Sequence, residues 1–470
     1  MGSRVPWWLP AAITALLLRL WGAVGLRPWH DEYFTLWVAG LPWGELVEAL
    51  RWDSGPPLPY ALVKLLAGLG LPPLVAARGL SVLGGTAAVV VVGLAAQRLG
   101  LPSGASLAAW LVAVHPLPLM WSVEGRAYGI FYLLVAASVC LLVSPSSQGG
   151  RWWWLGVTLG LSLYTHALGL VWLTSLVVWA LWSRRKAVLR ATGLALLGLV
   201  PWLGVLLQQP PEAVAWMLTA DEPVPRSARW LGVLRLLPPV AGWGYTLEAP
   251  IPPWPVQLVA GVATAWVLAR ARSWLWWLFG LPAGLVTVAW AAGLPVLFPG
   301  RTEAVVFPAF ALLVSVGLAS VPATFARSFV AAGLMASLWL AWSWHRAAPR
   351  PEERVARFLL QRAPEGVVVT TGWWWLGLRY HLPPSWEVEH IPAQALRHPG
   401  WFVPGKERPS VRELEELASK LGQALGQGRA VAVVLTKGLP ETAAYGKLVQ
   451  HLGLVRGFTV PAGELWWRGP

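Results

Sequence analysis

The chain has 470 residues, of which 56% are hydrophobic and only 12% charged, and its mean hydropathy is +0.56. A soluble domain carries about 25% charged residues, so this composition excludes an ordinary soluble protein, and the 35 tryptophans exclude a disordered one. The net charge of +14 comes from basic residues scattered between apolar runs, which is typical of membrane-topology signals rather than of a nucleic-acid surface. With a single cysteine, Cys140, the chain has no internal disulfide.

Long apolar runs predict a chain that crosses the membrane many times. The first run, 5–26, is about long enough to span a bilayer and lacks the small-residue cleavage site of a signal peptide. Run 152–182 is too long for one upright crossing and holds Tyr164, Thr165 and His166 at its centre, which predicts two spans joined by a turn. The remaining runs are 75–97, 103–119, 127–143, 188–207, 255–269, 273–292, 304–321 and 325–344.

Basic residues in the short loops set the predicted direction of these spans. Arg98, Arg270, Arg327 and the cluster 184–190 can all face the cytoplasm together. A full crossing by segment 56–73, which is bounded by prolines, would turn that cluster outward, so this segment is predicted to be a half-inserted or surface helix. The predicted fold class is an all-α polytopic protein of the cytoplasmic (inner) membrane, with about eleven transmembrane helices, additional interfacial helices, the N-terminus inside and the C-terminus outside.

Beyond residue 348 the sequence changes to frequent charges and short apolar stretches. Runs of β-branched and apolar residues at 367–370 and 430–435 predict strands. Ser410 and Glu413 have the spacing of a capping box that opens a helix running to about Leu425. The predicted organisation is therefore a transmembrane domain, 1–348, with outer loops 27–56 and 208–254, followed by a small soluble α/β domain, 349–470, outside the cytoplasm.

The first outer loop carries a pair of acids beside aromatic residues. Asp31 and Glu32 follow the first span and precede Tyr33. Two interpretations of this pair stay open: a solvated loop start, or carboxylates that accept a proton or bind a divalent cation. The stretch 42–50 has apolar residues at helical spacing and predicts an amphipathic interface helix. After this helix, Asp53 leads into a rigid pair of prolines.

Two later outer loops each combine an arginine with a glutamate. Glu124 lies two residues before Arg126, and Arg301 lies two residues before Glu303. Each pair could simply form an ion pair within its own loop. Arginine is also suited to bidentate phosphate binding, and a phosphate at a membrane surface indicates a lipid headgroup.

Other polar residues stand within or beside the apolar runs. Arg19 and Arg78 lie near predicted span ends, and their side chains are predicted to snorkel to the interface. His166 is either hydrogen-bonded within its turn or in contact with substrate. In the outer loop 208–254, which also holds Asp221-Glu222, the stretch 226–237 predicts a second interface helix.

The order of these residues resembles a known family. Together they are similar to the C-type (GT-C) membrane glycosyltransferases, and most of all to the bacterial branch akin to protein mannosyltransferases and lipid A aminoarabinose transferase. The likeness covers about residues 5–319, and the C-terminal domain resembles the family only in placement and general α/β character. The residues that carry it are Asp31-Glu32, Asp53 before Pro56-Pro57-Leu58, Arg78, the group Ser122, Glu124, Arg126 and Tyr128, then Tyr164-Thr165-His166, and Arg301 followed by Pro308.

This resemblance implies an inverting glycosyltransferase that moves a hexosyl or pentosyl group from a polyprenyl-phosphate sugar to an acceptor at the outer face of the membrane. Asp31 would act as general base, with Glu32 beside it. The other implied roles are donor-phosphate binding by Arg126, Arg301, Glu124, Tyr128 and His166, and acceptor binding or loop positioning by Asp53 and Tyr33. Gly55 and Thr302 depart from the family's pattern, which leaves the role of Asp53 open.

The expected partners are the polyprenyl-phosphate sugar donor and the lipid bilayer, and no nucleic acid is expected. The acceptor could be a lipid, a glycan or a protein. The sequence demands no metal, although Asp31, Glu32, Asp53 and His166 could supply hard ligands for a divalent cation. The alternative function is a multi-span flippase or transporter of lipid-linked sugars. It is disfavoured because transporters tend to show inverted repeats and mid-span charges, whereas the acids here gather at one predicted face.

Overall fold

The structure, a computed structural model, describes residues 6–53, 55–144, 151–210, 213, 254–271, 274–294, 300–392, 409–436, 442–460 and 463–469. The helices are α1 (Leu9–Gly25), α2 (His30–Gly40), α3 (Trp43–Arg51), α4 (Leu58–Gly68), α5 (Pro73–Arg98), α6 (Pro102–Val114), α7 (Pro116–Val123), α8 (Tyr128–Leu142), α9 (Trp152–Thr165), α10 (Leu168–Trp182), α11 (Lys186–Leu206), α12 (Trp254–Leu268), α13 (Leu275–Ala291), α14 (Phe307–Leu318), α15 (Ala323–Arg346), α16 (Pro351–Leu360), α17 (Trp374–His381), α18 (Val411–Gly426) and α19 (Thr442–His451). The strands are β1 (Gly366–Thr370), β2 (Trp386–His390), β3 (Ala430–Thr436), β4 (Val455–Val460) and β5 (Gly463–Arg468). A short 3₁₀ helix, Thr302–Val305, precedes α14.

Contacts between residues divide the chain into two units. The helical unit comprises Met1–Leu26, Gly55–Gln208 and Ala220–Ala347. The α/β unit comprises Arg27–Ser54, Gln209–Thr219 and Ala348–Pro470, so it includes α2 and α3 as well as the C-terminal sheet.

The helical unit has the apolar surface of a protein that lies in lipid. Three described segments of the chain are long and apolar enough to cross a membrane, or up to five if each bent pair of helices counts as one span, and shorter apolar helices accompany them. Large apolar side chains lie on the outside, with Val24 81% exposed and Leu207 78% exposed. The predicted fold class, a polytopic helical protein with a small α/β part, is confirmed. The number of eleven spans stays a prediction.

Small residues bring the central helices of this unit close together. Gly84 of α5 and Gly129 of α8 face each other so tightly that a Cβ on Gly84 would lie 2.8 Å from the carbonyl oxygen of Gly129. A Cβ on Gly129 would lie 2.6 Å from the carbonyl oxygen of Ser81. Lipid tails are as apolar as the helix side chains, so the hydrophobic effect does not hold helices together in a membrane. Their association depends instead on close packing of this kind.

The predicted snorkelling of two arginines is wrong. Arg19 is fully buried and donates from Nη2 to the carbonyl oxygen of Val112 at 3.1 Å. Arg78 is also buried, and its Nη1 donates to the carbonyl oxygens of Ala23 at 2.6 Å and Leu26 at 2.7 Å. Backbone carbonyls near helix ends and between helices accept hydrogen bonds from the terminal nitrogens of both guanidinium groups, so neither side chain needs to reach the water interface.

Two predicted spans differ from the structure. The run 103–119 is divided, because α6 ends at Val114 and α7 begins at Pro116 with its axis bent by 55°. Pro116 cannot donate a backbone hydrogen bond, which breaks the helical ladder, and His115 Nδ1 caps α7 by accepting the N–H of Leu117 at 3.2 Å. The run 304–321 begins as the 3₁₀ helix and continues as α14, which has only 12 residues.

Two other expectations about segment length agree with the structure. The run 152–182 consists of α9 and α10, with His166 in the turn between them. Segment 56–73 contains α4, whose 11 residues extend about 16 Å. This length is about half of the hydrocarbon core, as expected for a half-inserted helix, and its depth in the membrane stays a prediction.

The α/β unit is built on a five-stranded sheet in the order β2-β1-β3-β5-β4. Strands β2, β1 and β3 are parallel, and β5 runs antiparallel to both β3 and β4. Both faces of β1 are buried: Val368 packs with residues of α16 and α17, whereas Val367 and Val369 pack with residues of α18 and α19. A parallel core strand covered on both faces explains its nearly uniform apolar sequence.

The predicted elements of the C-terminal region are confirmed. The two predicted strands are β1 and β3, and the predicted helix is α18. The Ser410 hydroxyl accepts the N–H of Glu413 at 3.2 Å, and the Ser410 N–H donates to the Glu413 carboxylate at 2.7 Å, which completes the capping box.

Candidate functional site

The acidic pair of the first outer segment lies in a helix, not in a loop as the sequence suggested. Asp31 and Glu32 form the first turn of α2 and are buried, with 3% and 0% of their surfaces exposed. Acidic residues are generally favoured at this end of a helix by the helix dipole. Thr35 Oγ1 donates to the backbone carbonyl of Asp31 at 3.0 Å, which fixes the turn that carries both acids.

Tyr33 attaches α2 to the rest of the α/β unit. Its hydroxyl donates to the carbonyl oxygen of Pro28 at 3.0 Å and lies 2.8 Å from Nε2 of His381 on α17. The Tyr33 ring also lies against Tyr380, with the centroids 5.1 Å apart. These contacts fit the predicted positioning role, because they hold the turn that carries Asp31.

Asp53 follows the interface helix that the sequence predicted, which is α3. Asp53 is buried, and its backbone carbonyl accepts a hydrogen bond of 2.7 Å from Gln209 Nε2. The same amide group lies 3.3 Å from the carbonyl oxygen of Leu50. Sequence reasoning missed Gln209, because no local pattern connects it to residues more than 150 positions earlier in the chain.

A second group of predicted site residues comes together in the helical unit. We define the cationic–aromatic cluster as Arg126, Tyr128, His166 and Arg301. The ring centroids of Tyr128 and His166 lie 4.9 Å apart, and the Arg301 guanidinium carbon lies 5.9 Å from the Tyr128 ring centroid. The cluster therefore joins residues from three predicted outer loops that are far apart in sequence.

His166 is neutral at physiological pH in this cluster. Its Nδ1 accepts the backbone N–H of Leu168 at 3.1 Å, so the ring belongs to the turn before α10. Burial, followed by the positive charges of Arg126 and Arg301, lowers the pKa of His166 to about 3. His166 is hydrogen-bonded within its turn, as the first interpretation predicted, and its contact with substrate stays a prediction.

The segment before α8 is tied to α5. The Ser81 hydroxyl donates to the carbonyl oxygen of Arg126 at 2.9 Å, which fixes the backbone from which the Arg126 side chain extends. Glu124 ends α7 and is buried, with 4% of its surface exposed.

Glu303 behaves differently from the surface ion pair that its spacing to Arg301 suggested. It is fully buried, and its Oε1 accepts the N–H of Gly300 at 3.0 Å. The carbonyl of Gly300 in turn accepts a 2.6 Å hydrogen bond from Trp121 Nε1. Burial raises the pKa of Glu303 to about 8, although the Gly300 hydrogen bond opposes this shift. The carboxyl group is therefore mostly protonated at neutral pH and supports the loop that carries Arg301.

The possible cation ligands do not form a metal site. Within the part of the chain that the structure describes, no three histidine, cysteine or acidic residues come close enough together to hold an ion. The four residues considered from the sequence, Asp31, Glu32, Asp53 and His166, form no such group. Asp221, Glu222 and the predicted interface helix 226–237 lie outside the described residues.

The fold is similar to that of a known membrane protein. ArnT from Cupriavidus metallidurans in the apo state matches with a TM-score of 0.63 at 14% identity, over 98% of this chain and 97% of that chain. ArnT from the same organism bound to undecaprenyl phosphate matches with a TM-score of 0.64 at 14% identity, over 98% of each chain. Neither a protein-family model nor a curated protein matches the sequence. The chain is thus a membrane protein with the GT-C fold, which confirms the fold that its motifs suggested.

Proposed function

We propose that this chain is a glycosyltransferase that moves a sugar from a polyprenyl-phosphate donor to an acceptor at the outer face of the cytoplasmic membrane, with inversion at the anomeric carbon. The GT-C fold supports the reaction class, and the ArnT structure that contains undecaprenyl phosphate supports the class of donor. The cationic–aromatic cluster is the observation that carries the proposal. Arg301 lies beside the Tyr128 ring, and the charge of Arg126 acts on His166, so two arginines are available for a lipid-linked phosphate.

In the proposed reaction, the acceptor oxygen attacks the anomeric carbon while the bond from that carbon to the phosphate oxygen breaks. The electron pair of this bond goes to the leaving phosphate, which gains negative charge. Arg126 and Arg301 would therefore stabilise the transition state more than the bound donor, and this difference is what accelerates a reaction.

The acceptor proton passes to the carboxylate of Asp31. Asp31 is buried in the first turn of a helix. The Thr35 hydroxyl donates to the backbone carbonyl of Asp31 and so supports the turn from which this base extends. Glu32 occupies the same turn and is the second candidate for this role.

The direct test is to incubate the purified protein with a panel of polyprenyl-phosphate sugars and identify lipid-linked or glycosylated products by mass spectrometry. Asp31→Asn should lower the transfer rate by about 10²- to 10⁴-fold, as expected for loss of a general base, and should preserve donor binding. Glu45→Gln is the matched control, because Glu45 is an exposed acid on the neighbouring helix α3. An Asp31→Asn enzyme that transfers sugar at the native rate would contradict the proposed base. Donor movement across vesicles without any product would indicate a flippase.

A second test compares the two arginines of the cluster. Arg126→Gln and Arg301→Gln, made separately, should each lower kcat by about 10²- to 10³-fold if the side chain stabilises the departing phosphate. Arg327→Gln is the control, because Arg327 is an exposed arginine of α15. A variant that weakens donor binding but preserves kcat would assign its arginine to ground-state binding alone.

The predicted orientation is tested by chemical labelling. Cys140 is buried, so Glu45→Cys in a Cys140→Ala background places one exposed thiol close to α2 in sequence. A membrane-impermeant maleimide added to intact cells should label this thiol. Labelling only after the cells are opened would place the segment on the cytoplasmic side and contradict the proposed site of reaction.

A further inference from the structure

A basic cavity lies at the end of α10 that is distant from His166. Its volume is about 850 Å³, and its walls come from the ends of α8 and α10 and the beginnings of α9, α11 and α13. Because α10 has 15 residues, the cavity lies about 22 Å along this helix from the turn that holds His166. It is therefore separate from the cationic–aromatic cluster.

The cavity wall carries positive charge only. Five basic side chains line it: Arg151, Arg184, Arg185, Lys186 and Arg190. No carboxylate is among the described residues of the wall, and the sequence contains no Asp or Glu in 125–211 or in 249–302. A concave site with charges of one sign concentrates the electric field and attracts a counter-ion.

Arg184 has a backbone conformation that favours glycine, although an arginine occupies the position. Arg185 N–H donates to the carbonyl oxygen of Ala180 at 2.8 Å, which closes α10 in the manner of a Schellman motif. Arg184 occupies the left-handed position of this motif with a φ of 55°, where glycine is the usual residue. The chain thus has a strained arginine where glycine would end the helix with less strain, and this arginine lines the cavity.

Tryptophan rings indicate the depth of the cavity in the bilayer. Trp179 stacks on Trp274 with centroids 5.8 Å apart, and Trp182 lies 5.9 Å from Trp277. Trp182 is 79% exposed on the helical unit. Tryptophans gather at the level of the lipid headgroups, and basic pockets between transmembrane helices at the cytoplasmic side bind anionic headgroups.

We propose that this cavity binds the headgroup phosphate of an anionic phospholipid. The basic side chains would contact the phosphate, and the tryptophans would contact the glycerol region and the upper acyl chains. A zwitterionic lipid brings its own positive group and would leave the wall uncompensated. The proposal is independent of the proposed glycosyl transfer, because none of these residues belongs to the candidate catalytic site.

The test measures lipid binding to the full purified chain in a neutral detergent by native mass spectrometry. Dioleoylphosphatidylglycerol and dioleoylphosphatidylcholine are titrated separately, and inorganic phosphate is added as a competitor in a third series. The test variant is the double substitution Arg184→Gly and Arg185→Gln, and Arg270→Gln with Arg327→Gln is the matched control. The control removes the same charge from two basic residues outside the cavity wall.

The native chain should bind phosphatidylglycerol in preference to phosphatidylcholine. One basic side chain near an anionic headgroup contributes about fivefold in affinity, so the test variant should bind phosphatidylglycerol about 25-fold more weakly and the control should be unchanged. Arg184→Gly alone should keep or raise the melting temperature, which separates binding from folding.

Equal losses in the two double variants would show that net charge alone attracts the lipid and would overturn the proposal. Equal binding of both lipids by the native chain would do the same. Displacement of phosphatidylglycerol by an equal concentration of inorganic phosphate would assign the cavity to a soluble anion instead of a lipid.

Discussion

Two glutamates, Glu303 of the helical unit and Glu387 of the α/β unit, lie in opposite surroundings. In the helical unit, Glu303 is fully buried, accepts one backbone hydrogen bond and has a pKa raised to about 8 by burial. In the α/β unit, Glu387 on β2 is partly exposed and receives a 2.6 Å hydrogen bond from Lys420, which lowers the pKa of Glu387. One acid is kept neutral inside its unit, whereas the other is kept charged at the surface.

The difference follows from the solvent that surrounds each unit. Water stabilises charges on the α/β unit, so polar residues lie outside and apolar strands inside. Lipid stabilises no charge, so the helical unit exposes side chains such as Val24 and encloses polar groups such as Arg19, whose terminal nitrogens donate to backbone carbonyls. A variant of Glu303 should therefore respond to pH, and a variant at the contact between α5 and α8 should respond to side-chain size. A variant of Lys420, the partner of Glu387, should respond to salt and pH.

The largest effect is expected at Glu303. A raised pKa means that the stabilising contribution of the protonated carboxyl group is fully present below its usual value of 4.5 and is lost as pH rises through about 8. Glu303→Gln stays neutral at every pH, and its amide oxygen can still accept the Gly300 N–H. The stability of the variant relative to the native chain should therefore increase by a few kcal/mol between about pH 5 and pH 8.

Melting temperatures of the purified chain across this pH range provide the measurement. Glu45→Gln, which changes an exposed acid, should give a curve parallel to that of the native chain. If the Glu303→Gln curve is also parallel, the carboxyl group of Glu303 is not held neutral by the fold.

The next effect concerns the close contact between α5 and α8. A Cβ on Gly129 would lie 2.6 Å from the carbonyl oxygen and 2.7 Å from the Cα of Ser81, and these backbone atoms cannot move without shifting α5. Gly129→Ala should therefore destabilise the helical unit by about 1–3 kcal/mol, as overpacking does. Gly79→Ala on α5 is the control, because no heavy atom lies within 4 Å of its added Cβ.

Thermal unfolding in detergent distinguishes these two variants. Gly79→Ala should leave the melting temperature unchanged or raise it slightly through higher helix propensity, whereas Gly129→Ala should lower it. Equal responses would mean that close backbone approach does not stabilise this unit.

Local patterns were sufficient to predict many elements of both units. The polar residues at the centre of run 152–182 predicted the turn at His166, and the capping box at Ser410 predicted the start of α18. Each of these signals depends only on residues close together in the chain, so the sequence alone is enough to predict where the helix begins or ends. The motif order likewise predicted that Arg126, Tyr128, His166 and Arg301 would come together, because it resembled a known fold.

Features that depend on the direction of a side chain could not be predicted. The hydropathy of α1 is the same whether Arg19 points inward or outward. The carbonyls of Val112 and Ala113 that accept its hydrogen bonds lie on α6, more than 90 positions later in the chain. The sequence shows that Glu303 is the only acid in the stretch 249–310. Its neutral state, however, depends on burial by residues that are distant in sequence. Strand β5 was not predicted, because Gly463–Arg468 lacks the β-branched residues that marked β1 and β3.

The smallest effect is expected at the ion pairs of the α/β unit. Lys420 of α18 contacts the carboxylates of both Glu387 and Glu389 on β2. These side chains are partly exposed, so Lys420→Met should lower the stability of the unit by about 0.2–1 kcal/mol, and by less at high salt. The pKa of Glu387 is lowered, so this contribution is present above its usual value and is lost as pH falls.

Hydrogen exchange of the β2 amides in the full chain measures the local free energy of opening near neutral and at acidic pH, at low and at high salt. Arg412→Met is the control, because it removes a highly exposed pair with Glu416 from the same helix. Since an exposed pair between adjacent helical turns contributes only about 0.3–0.5 kcal/mol, the control should change opening of β2 less than Lys420→Met does. A Lys420→Met effect that persists at high salt and at acidic pH would show that the side chain acts through the packing of its methylene groups, and the contrast with Glu303 would then not be one of charge.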